Sequence, residues 1–181
     1  LRAAEKLAGG RRVWLHFFSG SGALAKALCE VSGHGAVSLD ISQGPHADLT
    51  RPMVRSVLKG WIAQGCALGA WLGFSCTTWL NARRPALRSG QHLRGLPRWR
   101  SESRAWRQVV LGNLTLDAAI DLANACRRAG IAWVLENPAT PLAWQTRGML
   151  RLRALECTNM ILLDQCRFGA VFGTRKSLLV I

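Results

Sequence analysis

Cys76 stands where an apolar run ends. The stretch LGFSCTTWL, residues 72–80, reads as a strand that stops by presenting Ser75-Cys76-Thr77-Thr78 beyond its carboxyl end. A cysteine kept for bulk belongs inside such a run; at its end it is placed to act. The thiolate is the nucleophilic form, and nearby cationic charge or N–H groups favour it. The arginine-rich segment that follows, residues 75–103, supplies that charge. The partner group is Glu136, at the end of VLENP, residues 134–138. A carboxyl group there can give a proton or hydrogen bond to a substrate ring, or be a turn residue paired with an arginine. Asn137-Pro138 behind it forces an extended turn, because proline removes an N–H and restricts the residue before it.

A second chemical locus is FSGSGALA, residues 18–25, between a strand and a helix. Glycines there let the backbone approach a ligand, and the first helical turn offers unpaired N–H groups. Gly20-x-Gly22-x-x-Ala25 satisfies the loose dinucleotide fingerprint, and Asp40, twenty residues after Gly20, can accept from ribose hydroxyls. Phe18, Ser19, Gly20, Ser21, Gly22 and Asp40 are therefore the cofactor candidates. The pattern suits NAD as well as S-adenosylmethionine, and also a tight turn with no ligand. Asp48 either contacts an adenine amino group or caps the helix that follows.

The elements that must position these residues alternate. Strands are predicted at 11–18, 35–40, 67–74, 131–136, 159–164 and 176–181. Helices are predicted at 23–31, from Thr50-Pro52 to Gly65, along a long stripe ending near Gly130, and from Thr140-Pro141 to Leu155. The stripe is Trp106, Val110, Leu114, Ala118, Leu122 and Cys126, one apolar residue every four. Only a short connection separates the last two strands, so they pair antiparallel. The whole is an α/β fold: a Rossmann-like, mostly parallel sheet with helices on both faces and a C-terminal antiparallel strand pair. Ligands in such folds bind beyond the carboxyl ends of the strands, where Phe18-Ser19-Gly20, Asp40, Ser75-Cys76 and Glu136-Asn137 all fall.

The chain has 181 residues, 49% of them hydrophobic, which fits one domain with a full core. Its first residue is Leu1, and we expect a single domain, 1–181, excised from a longer polypeptide. No apolar run approaches the roughly 18–20 residues of a membrane span, and no signal-peptide pattern opens the chain. A net charge of +14 favours a polyanionic partner, nucleic acid before membrane. The six cysteines lack Cys-x-x-Cys spacing and paired histidines, so no metal site is expected, and His16 reads as a core residue. Free cysteines without a secretory signal point to a reducing, intracellular compartment.

Arg83, Arg84, Arg88, Arg94, Arg98, Arg100, Arg104 and Arg107 crowd the segment after Cys76, with Trp79, Trp99 and Trp106 among them. Arginines so placed give salt-dependent phosphate contacts, and tryptophan stacks on unpaired bases. Trp79 and Trp99 suit stacking or packing equally; Trp106, on the helical stripe, is assigned to packing.

FSGSG, Asp40, SCTT and LENP, in this order on this strand plan, resemble the cytosine carbon-5 DNA methyltransferases. That family carries Phe-x-Gly-x-Gly, an acidic ribose ligand, Pro-Cys and Glu-Asn-Val in the same succession, and the likeness spans roughly residues 12–181. ENP and the arginine-rich stretch also resemble divergent methyltransferase-like domains of phages and mobile elements. The resemblance implies the class I S-adenosylmethionine-dependent methyltransferase fold and S-adenosylmethionine as cofactor. It implies that Cys76 attacks carbon 6 of a flipped-out cytosine in DNA while Glu136 holds or protonates ring nitrogen 3. Phe18 would pack on the adenine, with Gly20 and Gly22 beside the methionine portion. Asn137, Arg83, Arg84 and Arg175 would contact the substrate, the arginine segment serving as a mobile loop over the flipped base. Two positions depart from the family: Ser75 replaces its proline, and its Gln-x-Arg-x-Arg falls on residues 173–177, keeping only Arg175. Two other readings stay open: an inactive relative that binds nucleic acid, and a nicotinamide-dependent oxidoreductase.

Overall fold

The computed structural model describes residues 12–139, 141–168 and 175–180. Six strands lie in the order β2-β1-β3-β4-β6-β5. They are β1 (Val13–Phe17), β2 (Ala36–Leu39), β3 (Ala67–Leu72), β4 (Ala132–Pro138), β5 (Asn159–Asp164) and β6 (Arg175–Val180). The first four pair in parallel, and β5 and β6 pair antiparallel with Asn159 opposite Val180 and Asp164 opposite Arg175. Four α-helices are described: α1 (Ala23–Ser32), α2 (Pro52–Ala63), α3 (Arg104–Arg128) and α4 (Arg147–Arg153). The fold is thus α/β, with a mixed, mostly parallel six-stranded sheet and C-terminal antiparallel strands, as the alternation in the sequence predicts.

The chain divides into two compact units, each drawn from two stretches of sequence: Leu1–Gly73 with Asp121–Leu135, and Phe74–Ile120 with Glu136–Ile181. In the first, the fully buried side chains include Leu15, Phe17, Leu58, Ile62, Leu72, Leu122, Trp133 and Leu135. These fall at alternate strand positions and on one stripe of each helix, the two periodicities that let sheet and helix share a core. Asp121 on α3 takes Arg55 at 3.2 Å and Lys59 at 3.0 Å from α2. Strand β1 lies between β2 and β3, so the chain leaves it on opposite sides. The carboxyl end of β1 is therefore a topological switch point, the place where a crevice opens in such sheets. The second unit buries Trp79, Leu116, Met149 and Leu152 completely.

Several boundaries differ from those the sequence suggests, each for a local reason. Strand β1 stops before Phe18, whose φ of 56° leaves extended backbone. Strand β4 continues two residues beyond Glu136, through Asn137-Pro138. The helix expected from Thr140-Pro141 to Leu155 is broken in two: a 3₁₀ turn at Leu142–Gln145 and α4. Thr146 separates them with an extended ψ of 147°, and its hydroxyl donates back to the Ala143 carbonyl at 2.8 Å. Arg11, Thr140, residues 169–174 and Ile181 lie outside the described residues.

The stripe on α3 is half right. Ala118, Leu122 and Cys126 are buried, but Trp106 is 37% and Leu114 45% exposed. A strict four-residue step overshoots a full turn by about 40°, so the stripe drifts off the buried face within a few turns. The face that is buried runs Val109, Gly112, Leu116, Ala119 and Ala123. Over its most apolar stretch α3 has a mean hydropathy of 1.3, long and apolar enough by composition to cross a membrane. That corrects the expectation that no segment approaches a span. Asp117 and Asp121, both ion-paired, interrupt it.

Candidate functional site

The glycine segment of the first unit is built on left-handed backbone. Phe18, Gly20 and Gly22 have φ of 56°, 50° and 74°. For the glycines this is free; for a phenylalanine it costs on the order of 1–2 kcal/mol. Gly22 is the N-cap of α1 and carries no side chain to satisfy the first helical N–H groups. The Ser19 hydroxyl is buried and has no hydrogen-bond partner. An orphaned buried hydroxyl beside an uncapped helix end fits a polar ligand group at this place.

Asp40 is brought to this segment, as expected, but much of its carboxylate is engaged. Oδ2 accepts from the Gly20 N–H at 2.9 Å, and Oδ1 accepts from the Ser42 N–H and hydroxyl at 3.0 and 2.8 Å. These bonds, the Ser42 N–H foremost, hold its pKa below the usual carboxylate value. Asp40 thus fixes the shape of the glycine segment across two strand ends. Asp48 accepts from the Thr50 N–H at 2.9 Å and hydroxyl at 2.6 Å, the turn that leads into α2. Beside it an open cleft of about 560 Å³ is lined by Pro45, His46, Arg51, Pro52, Met53 and Val54.

In the second unit Cys76 is half-buried, and its carbonyl accepts the Trp79 N–H at 2.9 Å, closing a turn over SCTTW. The Ser75 and Thr77 hydroxyls share a 3.0 Å hydrogen bond across it. Asn137 sets where this turn begins: its amide nitrogen donates to the Phe74 carbonyl at 3.1 Å, and the side chain is 2% exposed. Phe74 is two residues before Cys76 and Asn137 one after Glu136. The bond therefore ties the ends of β3 and β4 together next to both chemical residues. Asn137, expected against substrate, holds the turn through its amide nitrogen, while its buried Oδ1 has no hydrogen-bond partner.

Glu136 has a cationic partner, and it is Lys176: Nζ lies 2.9 Å from Oε1, both side chains mostly buried. Arg175, expected against substrate, donates to Asp164 at 2.7 Å, its side chain 63% exposed. Mutual pairing pulls the Asp164 pKa down and pushes that of Arg175 up. Arg83 reaches the Thr77 carbonyl at 3.5 Å and Gln108 at 2.7 Å, so a guanidinium rests one residue from Cys76. Arg84 bonds the carbonyls of Asn81 and Arg83 at 2.9 and 3.0 Å and stays exposed.

The arginine segment is irregular yet tied down, and Arg88 ties it. The residue is 4% exposed, and its guanidinium carbon lies 3.5 Å from the Trp79 ring centroid. It donates to Thr78 O and Oγ1, Leu93 O, Asn113 Oδ1 and Val109 O, at 2.7 to 3.1 Å. Burial, with Arg94 nearby, pulls its pKa down to about 10. Arg94 grips Asp117 with two bonds, at 2.7 and 2.9 Å. Trp79 is fully buried, so packing is its role; Trp99 is half-buried and donates to the Leu87 carbonyl at 3.2 Å. Of the eight arginines after Cys76, Arg84, Arg98, Arg100, Arg104 and Arg107 are exposed, as is the ion-paired Arg94.

Sequence reasoning missed Lys176 and the structural part of Arg88. One of eight crowded arginines carries no mark of burial, and Lys176 meets Glu136 only through strand placement. Among the described residues no group of three or more His, Cys, Asp or Glu side chains is placed to hold a metal ion. Comparison with protein-family models, curated proteins and solved structures found no match to this chain.

Proposed function

We propose that this chain is an S-adenosylmethionine-dependent methyltransferase of the class I fold that methylates carbon 5 of cytosine in DNA. The observation that carries the reading is the 3.1 Å bond from Asn137 to the Phe74 carbonyl. It anchors the Cys76 turn beside the strand end bearing Glu136, the nucleophile and ring-binding carboxylate that the reaction needs. Residues 18–22 and Asp40 would hold the cofactor, the Ser19 hydroxyl and the first N–H groups of α1 meeting its polar groups. Bound there, the cofactor supplies an electrophilic methyl group. Cys76 adds to ring carbon 6, Glu136 and its surroundings hold the pyrimidine edge, and Arg83, bonded to the Thr77 carbonyl, stands beside the turn. The exposed arginines take DNA phosphates. All six cysteines are free thiols, which supports a reducing, intracellular setting.

The test is transfer of labelled methyl from S-adenosylmethionine to DNA, with Cys76→Ala as control. Thermal unfolding with S-adenosylmethionine and with NAD runs alongside. A ligand at about a hundred times its dissociation constant adds roughly 2.7 kcal/mol. Methyl transfer that needs Cys76, with stabilisation by S-adenosylmethionine alone, bears the reading out. Stabilisation by NAD alone sinks it in favour of the oxidoreductase. DNA binding with no transfer makes the chain a nucleic-acid-binding module, the reading that the tied-down arginine segment favours next.

A further inference from the structure

We infer that Lys176, and not Glu136, supplies the hydrogen to ring nitrogen 3 of the base, while Glu136 receives the base's exocyclic amino group. The inference rests on the methyltransferase reading and assigns the two groups of its pyrimidine site. A carboxyl group can donate to a ring nitrogen only in its protonated form. Here Glu136 sits 2.9 Å from an ammonium, both side chains mostly out of solvent at 23% and 19% exposure. Taken as that ion pair, the carboxylate is an acceptor and the ammonium carries three donors, one used on Glu136 Oε1. A donor and an acceptor side by side complement the acceptor N3 and the donor amino group of cytosine. Arg175 has no part in this, since its guanidinium is held on Asp164 at 2.7 Å. Ser177, on the other side of Lys176, is 3% exposed and brings no charge.

The Cys76 thiolate forms a bond to C6, the C5=C6 electron pair moves to C4–C5, and the C4=N3 pair moves onto N3. Nitrogen 3 takes a hydrogen from the Lys176 ammonium as its charge develops. Carbon 5 is now nucleophilic and takes a proton from water even without the cofactor. Loss of the original C5 hydrogen to water, return of the N3 proton to Lys176 and departure of Cys76 regenerate cytosine. The net event is exchange of the C5 hydrogen with solvent, a readout of addition alone.

The experiment follows release of tritium from an oligonucleotide carrying [5-³H]cytosine, single-stranded and duplex, with and without S-adenosylmethionine. It compares wild type, Lys176→Met, Lys176→Arg and Glu136→Gln, each checked for unchanged thermal unfolding. The glutamine carbonyl still accepts from the amino group, so Glu136→Gln keeps exchange within roughly tenfold. Lys176→Met loses on the order of a hundredfold or more, the usual scale for a removed acid–base group, and Lys176→Arg restores part of it. The opposite ranking, with Glu136→Gln inactive and Lys176→Met near wild type, overturns this inference and leaves the methyltransferase reading standing. A wild type that releases no tritium and transfers no methyl overturns both. Should Lys176→Met unfold the protein, the ranking of Lys176→Arg against Glu136→Gln decides in the same sense.

Discussion

The same substitution at two helical glycines is expected to have opposite signs. Gly60 lies in α2 and Gly112 in α3, both well inside their helices. A Cβ added at Gly60 meets nothing within 4 Å, whereas one at Gly112 overlaps the Thr78 hydroxyl and comes within 2.8 Å of Arg88 Nη2. In an open helix interior, Gly→Ala stabilises by roughly 0.8–1 kcal/mol. Gly60→Ala is expected to gain that much. At Gly112 the same gain opposes an overlap costing about 1–3 kcal/mol in a packed site. It also opposes displacement of the Arg88 bond to Thr78 Oγ1, now 3.1 Å, and a hydrogen bond to a charged group is worth roughly 1.5–3 kcal/mol. Neither neighbour yields easily: Thr78 is 7% exposed, and the guanidinium is held by four further bonds. Gly112→Ala should therefore destabilise by about 1.5–5 kcal/mol net, and urea unfolding of the two variants against wild type measures both. For a chain this long each kcal/mol moves the midpoint by about 2–4 °C, so thermal scans resolve the signs. A Gly112→Ala protein as stable as Gly60→Ala would refute the close approach of α3 to the Arg88 cluster. Because Thr78 is two residues from Cys76, the same variant should lose methyl transfer out of proportion to its stability.

Other expectations follow from single groups. Phe18→Gly should be more stable than Phe18→Ala by about 1 kcal/mol, since both remove the ring and only glycine suits a φ of 56°; an ordinary β-strand position would give the reverse order. Burial pushes the Cys126 thiol up to about 12 from 9.0. The folded chain then keeps a proton that the unfolded chain releases, so this stabilisation is complete below pH 9 and is lost as pH rises from 9 towards 12. Arg88 acts oppositely from about pH 10, where the folded chain releases a proton that the unfolded chain holds. Comparing wild type with Cys126→Ala between pH 8.5 and 10 isolates the thiol: the wild type should lose up to about 1.4 kcal/mol per pH unit above 9, and the variant should lack that slope. Asn137→Ala leaves the buried Phe74 carbonyl without its donor and should cost about 1–3 kcal/mol in unfolding measurements.

The strand–helix alternation was legible because it depends on local period: apolar runs of four to eight residues bounded by glycine, and apolar residues three and four apart. The antiparallel β5–β6 pair was legible from the short connection alone. The glycine segment and Asp40 announced themselves by residue type and spacing, and the structure joins them through a single 2.9 Å bond. Cys76 and Glu136 were visible as polar ends of apolar runs. The break at Thr146 was not, because it turns on one hydroxyl bonding back to a carbonyl and not on any change of composition. The first half of the α3 stripe was misplaced because a step of four only approximates the helical period.

Which charge meets which was beyond the sequence altogether. Eight arginines of one type in one segment look alike until packing buries Arg88 against Trp79 and leaves Arg84, Arg98, Arg100, Arg104 and Arg107 outside. Arg175 and Lys176 are neighbours in the chain, but successive strand residues face opposite ways, so one takes Asp164 and the other Glu136. Residue type and local period determine elements and the chemistry they can carry. Partnership between side chains distant in sequence depends on strand register and burial, and only the tertiary structure decides it.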